Sequence, residues 1–204
     1  IGVHDDVTDR KNAEIALRQR VIALTRPLDV AEDIEFTELV DIAVIQELQD
    51  MFADAFGVAS LITTPDGVPI TRPSNFSHLC GDLIRTNPEG AKYCEHSDAI
   101  LGRHNADGPN IHHCLSAGLC NAGASITVGG RHVANWLIGQ VRDETHTERQ
   151  IIDLAKTIGA DTAGLVAAFR DIPFMPREQF ERIARILHVI ANQISTMAYQ
   201  NVQQ

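Results

Sequence analysis

All four cysteines of the chain fall in one stretch: Cys80 in HLCGDLIR, Cys94 in KYCEHSD, and Cys114 and Cys120 in HHCLSAGLC. They are separated by 13, 19 and five intervening residues. The short Cys-x2–4-Cys pairs of zinc knuckles are therefore missing. Three or four thiolates meeting in space would suit tetrahedral zinc or an iron–sulfur cluster. Neutral thiols, in contrast, are readily buried as small apolar groups, so four unrelated core cysteines are the plain alternative. His78, His96, His104, His112 and His113 crowd the same stretch. In a strand, His113 points away from its neighbour Cys114 while His112 shares its face, which makes His112 the better substitute ligand.

No other chemistry stands out. GxSxG, HExxH, a Gly-rich phosphate loop and a paired-carboxylate signature are all absent from the sequence, which points to a non-catalytic domain. A redox sensor working by thiol–disulfide exchange is an alternative, and it requires accessible thiols of low pKa.

The elements that must position these residues can be read from periodicity. DVTDRKNAE opens a helix running toward Leu28, with a narrow seam of Leu17, Val21, Leu24 and Leu28. Phe36 to Phe56 reads as one amphipathic helix, ended by Gly57. Pro65-Asp66-Gly67 then turns a β-hairpin. Phe76 to Arg85 and Ala91 to Ala106 read as short helices that place Cys80 and Cys94, and the pattern returns to strand at Ile111. Gly129-Gly130 turns a second hairpin, whose last strand RHVANWLIGQV puts His132, Ala134, Trp136, Ile138 and Gln140 on one face. Val133, Asn135, Leu137, Gly139 and Val141 take the other. Helices follow over 147–158 and 161–170 and from Glu178 to the end. In the last, Phe180, Ile183, Leu187, Ile190, Ile194 and Met197 make a heptad seam, suited to a coiled coil, to covering the sheet, or to both. Cysteines drawn from two helices and a strand in this way would converge on an internal cavity rather than a knuckle.

The 204 residues suffice for one full domain, and a net charge of −10 argues against nonspecific nucleic-acid binding. No apolar run approaches the roughly 20 residues of a membrane span, and the start shows no signal peptide. A cytoplasmic location is the expectation, and a chain beginning at Ile1 reads as a piece of a longer protein.

Two stretches resemble known families. DVTDRKNAE resembles the exit of a PAS sensor domain. FSHLCGDLIRTNPEGAKYCEHSDA, CLSAGL and the strand ending WLIGQV resemble a PocR-type sensory domain. The matching positions are Phe76, Cys80, Ile84, Arg85, Gly90, Cys94, Ser97, Asp98, Cys114, Ala117, Gly118, Leu119, Gly139 and Gln140. The resemblance implies an α/β (α+β) domain with a PAS-like antiparallel sheet flanked by helices, which senses simple hydrocarbon derivatives. The sequence departs from the family form in Cys114-Leu115-Ser116-Ala117-Gly118-Leu119, one residue longer and without a His, and in Cys120. The extra cysteine favours a four-cysteine metal site.

The expected organisation is a PAS exit and signalling helix over 1–28, the sensory domain over 29–175 and a coiled-coil helix over 176–204. Phe76, Cys114, Asn135, Trp136 and Gln140 are the expected ligand contacts. Cys80, Cys94, Cys114 and Cys120 are the expected holders of zinc or a cluster. The expected partners are a small-molecule ligand, a second copy paired through the terminal helices, and a downstream output domain. A purely structural dimerisation module is a further alternative.

Overall fold

A computed structural model describes residues 35–202; the DVTDRKNAE string and the helix expected to reach Leu28 lie outside these residues. The region expected as a single helix from Phe36 to Phe56 is divided into α1 (Phe36–Leu39) and α2 (Ile42–Phe56). Val40 is extended, and the Asp41 carboxylate accepts the Ala43 N–H at 2.9 Å, so Asp41 caps a new helix where the apolar pattern alone reads straight through. Gly57, at φ 64, ends α2 in the left-handed conformation.

β1 (Ala59–Thr63) is buried throughout and turns at Pro65-Asp66-Gly67, as the sequence indicates. The returning arm is irregular. It touches β1 through bridges at Thr63–Pro69 and Ser60–Ser74, because Pro69 and Pro73 have no N–H to give a ladder. Two buried amides of α2 stand in for the missing partners. Gln46 Oε1 accepts the Arg72 N–H at 2.8 Å, and Gln49 Nε2 donates to the Arg72 carbonyl at 2.8 Å and the Ser60 carbonyl at 3.2 Å. The face of α2 toward the sheet is therefore partly polar, while Val44 and Met51 are exposed.

A π-helical segment (Leu79–Ile84) leads into α3 (Pro88–Leu101), which Asn87 caps by accepting the Glu89 and Gly90 N–H groups. β2 (Asn110–His113), β3 (Cys120–Val128) and β4 (Arg131–Val141) complete an antiparallel sheet in the order β1-β4-β3-β2. α4 (Glu148–Ile158), α5 (Thr162–Arg170) and the long α6 (Arg177–Val202) follow. The architecture is α+β.

The sheet separates two cores. One face of β3 and β4, carrying Ala122, Ala124, Ile126, Ala134, Trp136 and Ile138, packs against α1, α2 and α6. A second core joins Leu79, Ile84 and Leu119 to α4 and α5. Phe180, Ile183, Leu187 and Ile194 of the heptad seam are buried on the sheet, Ile190 is half-buried, and Met197 is exposed. α6 thus spends most of its apolar stripe on this domain's own core.

Candidate functional site

The π-helical segment places Arg85. Its N–H reaches back five residues to the Cys80 carbonyl at 3.1 Å, a widened turn that is frequent at functional positions. Gly90 is required directly behind it, since a Cβ there would stand 2.3 Å from the Ile84 carbonyl oxygen. Arg85 Nη2 donates to Asp98 Oδ2 at 2.6 Å, and its guanidinium lies 5.3 Å from the centre of the Phe76 ring. Asp98 is buried, and burial pushes its carboxyl pKa up against the opposing pull of Arg85. Arg85 Nε is buried with no hydrogen-bond partner. Leaving a charged donor unpaired costs free energy, so this N–H is suited to an acceptor brought from outside.

Gln140 faces it from the sheet. The alternation of RHVANWLIGQV assigns Gln140 to the face of Trp136, but a β-bulge overrides that assignment. Asn121 pairs with Gly139, and Cys120 with Val141. Gln140 takes φ 59, rare for a residue with a side chain, and its amide turns to the face of Asn135, Leu137 and Gly139. The bulge is held by bonds at each end: Gln140 N donates to Asn121 Oδ1 at 3.2 Å, and Gln140 Oε1 accepts the Ser77 N–H and hydroxyl, each at 2.8 Å. A Cβ at Gly139 would fall 2.2 Å from Asn121 Oδ1, so glycine is obligatory there.

Between these groups lie two adjoining hollows that share Arg85, Asp98, Asn121 and Gln140. Each leaves about 20 Å³, room for a single water. Cys80, Cys94, Cys114, Ser97 and Ser116 line one, and Phe76, Leu61 and Leu137 help line the other. Phe76 and Gln140 also border an outer hollow of about 190 Å³ beside Pro173. The Cys80 and Cys94 thiols are uncharged in these surroundings. Burial pushes Cys80 well above the ordinary thiol range, and pushes Cys94 up to about 11 although the Arg85 charge opposes it. The Cys94 and Cys114 sulfurs each lie 3.5 Å from the Ser116 hydroxyl.

Of the expected ligand contacts, Phe76, Cys114 and Gln140 meet at these hollows. Trp136 does not. It lies fully buried on the opposite face, its ring 5.6 Å from Phe52 and its Nε1 donating to Ser60 Oγ at 2.8 Å. Asn135 shares the pocket face but borders none of the three hollows. Its amide donates to Thr63 Oγ1 at 3.1 Å and the Thr64 carbonyl at 2.8 Å, fastening β4 to the end of β1.

The four cysteines are divided. Cys80, Cys94 and Cys114 share the second core, while Cys120 points into the first. One site holding all four would need side chains from opposite faces of the sheet, so a four-thiolate zinc or iron–sulfur centre does not fit this arrangement. Cys120 instead meets the Asp143 carboxylate, with Sγ 3.3 Å from Oδ2, alongside His113 and His146. His112 is exposed and borders none of the three hollows. His113, the register partner of Cys120 in the β2–β3 ladder, has Nε2 3.5 Å from Asp143 Oδ2.

Comparison with known proteins decides the family. The sequence model described as "Sensory domain found in PocR" matches residues 38–199. The chain belongs to the PocR sensory-domain family. No curated protein and no solved structure matches it. The PocR match takes in both the cavity around Arg85 and the whole sheet, and also α6 up to position 199. Among the described residues no helix is long and apolar enough to cross a membrane. Sequence reasoning placed Arg85 and Asp98 in the PocR motif without assigning them a task. It missed Asn121 altogether, because Asn121 matters only through a bulge that alternation does not reveal.

Proposed function

We propose that this PocR domain senses a small molecule with hydrogen-bonding groups, a simple hydrocarbon derivative such as a short alcohol, diol or aldehyde. The molecule would occupy the outer hollow of about 190 Å³ against Phe76 and Gln140, and on binding would widen the water-sized hollows beside Arg85, Asn121 and the three thiols. The observation that carries this reading is the unpartnered Nε–H of Arg85, held beside Phe76 in a cavity with polar acceptors and apolar walls. The Phe76 face and the buried thiols suit the carbon skeleton, and the guanidinium and amides suit its oxygens. Burial and raised thiol pKa values weigh against redox sensing, which needs accessible thiolates.

The signal would pass through the strands. β3 carries Asn121 on the cavity face and Ala122 on the face toward α6, so a shift of the bulge at Gln140 moves the seat of α6. A ligand biases α6 only by its differential affinity for two such arrangements. In a parent protein, α6 would hand this bias to an output domain in the cytoplasm, with a second copy paired along the helices.

A panel of short-chain alcohols, diols and aldehydes, tested by thermal unfolding and calorimetry of the purified chain, checks the reading. At a hundred times its dissociation constant, a true ligand stabilises by about 2.7 kcal/mol. Arg85→Lys, which keeps the charge and moves the donors, and Gln140→Gly, which keeps the backbone angle and removes the amide, should each abolish the shift. A panel with no active member, or a shift that survives both substitutions, would sink the proposal.

A further inference from the structure

The second cluster, on the other face of the sheet, is built from residues far apart in sequence. His113 closes β2, Cys120 opens β3, and Asp143 and His146 lie in the turn after β4. One nitrogen of each imidazole, the Cys120 sulfur and an Asp143 oxygen all lie within 4.8 Å of one another. The side chains of Asp143 and His146 are wholly buried, whereas that of His113 is 38% exposed. A cavity of about 220 Å³ reaches the cluster from His112, Arg177 and Phe180, which gives an ion a way in.

Neighbouring groups already fix the orientation of two of these donors. Asp143 Oδ1 accepts the Thr145 N–H at 2.9 Å and its hydroxyl at 2.6 Å, which leaves Oδ2 toward Cys120, and toward His113 Nε2 at 3.5 Å. His146 Nε2 stands 2.5 Å from the Gly118 carbonyl, which can only accept, so this nitrogen carries the proton. In the neutral ring Nδ1 then accepts the Asp143 N–H at 3.0 Å, with Asp143 Oδ1 beside it at 2.8 Å. A backbone carbonyl fixing a histidine tautomer is the usual outer-shell support of a metal ligand. Arg177, which borders the cavity, is engaged by Glu181 at 3.0 Å.

We propose that His113, Cys120, Asp143 and His146 bind a divalent metal ion of the zinc class. The donor set of one thiolate, two imidazoles and one carboxylate suits tetrahedral Zn²⁺, and its two negative charges balance the ion. On binding, the proton of the Cys120 thiol and any proton on Nδ1 of His146 pass to solvent, and the thiolate stays as a ligand. The ion would join β2, β3 and the turn after β4 directly beside the first turns of α6. The inference does not rest on small-molecule sensing at Arg85.

Cobalt(II) titration of the purified, chelator-treated chain tests it, followed by visible absorption. The expected result is one equivalent bound, with tetrahedral bands, a sulfur-to-cobalt charge-transfer band and displacement by zinc. Cys120→Ser removes the charge-transfer band, while Cys94→Ser keeps it. His113→Ala, a change at a partly exposed position, weakens binding by at least the roughly 10- to 100-fold typical of losing even an outer-shell partner. Unchanged binding in His113→Ala, or a charge-transfer band lost in Cys94→Ser and kept in Cys120→Ser, would overturn the assignment. So would a wild-type chain that binds no cobalt.

Discussion

Cys114 and Cys120 are separated by five residues, yet they belong to opposite chemical environments. Cys114 joins Cys80 and Cys94 beside Leu79 and Leu119, within reach of the Arg85 guanidinium. Cys120 lies against the Asp143 carboxylate and two imidazoles. Burial pushes both Cys94 and Cys120 up, the latter to about 12 with Asp143 adding to the effect. The difference lies in the company. Three thiols with one cation form a lining that can stay neutral, whereas one thiol with a carboxylate and two imidazoles forms a donor set. Which face of the sheet a cysteine enters decides this, and closeness along the chain does not.

The largest effect expected from breaking this contrast is on the Arg85 side. Arg85→Met leaves Asp98 buried without its counter-charge, at a cost of about 3 kcal/mol or more. Urea unfolding measures it. The exposed Arg170–Glu148 pair is the control, for Arg170→Met should leave the unfolding midpoint almost unchanged. Equal costs at the two sites would mean that the cavity is no more shielded from water than the surface.

The elements that depend on periodicity and turn chemistry were legible. The turn at Pro65-Asp66-Gly67, the Gly129-Gly130 turn and the last three helices fall within a residue or two of their expected places, although the arm after the first turn forms no regular strand. Features set by a single contact were not. The Asp41 cap divides a helix whose apolar spacing is continuous, and the bulge at Gln140 reverses the face of one side chain in an otherwise regular strand. Phe76, Cys114 and Gln140 of the PocR motif line the hollows, while Trp136 looked like a pocket wall only because the strand's inward face was undetermined. Asp143 and His146 gave a faint signal, an acid and an imidazole three apart after a buried strand, which becomes meaningful only when His113 and Cys120 pair across the sheet.

A second, smaller effect separates the two thiol environments by pH. Cys94 ionises near its ordinary 9.0 in the unfolded chain and at about 11 in the fold. Its contribution to stability is therefore complete below about 9 and is lost as the pH rises toward 11. Cys80, raised further, acts in the same direction. Melting temperature should fall along this alkaline limb, and Cys94→Ser should flatten it. With zinc bound, Cys120 is already a thiolate, so Cys120→Ser should leave the limb as it is. An alkaline limb that follows Cys120 instead would place the two environments in the same class.

The smallest effect concerns the outer side of α6. Its inner stripe, from Phe180 to Tyr199, is occupied by the sheet, so pairing with a second copy must use what is left outside. Ile186, Val189 and Met197 are exposed there, Val189 and Met197 at 58% each. They are too few and too widely spaced for the sustained seam of a strong coiled coil. Val189→Glu with Met197→Glu should shift the stability of the isolated domain by no more than about 0.5 kcal/mol per site, since neither side chain belongs to the core. Sedimentation equilibrium should nevertheless show weaker self-association than in the parent sequence. If association is unchanged, this face of α6 is not where copies meet, and the helix then carries its signal through its seat on β3.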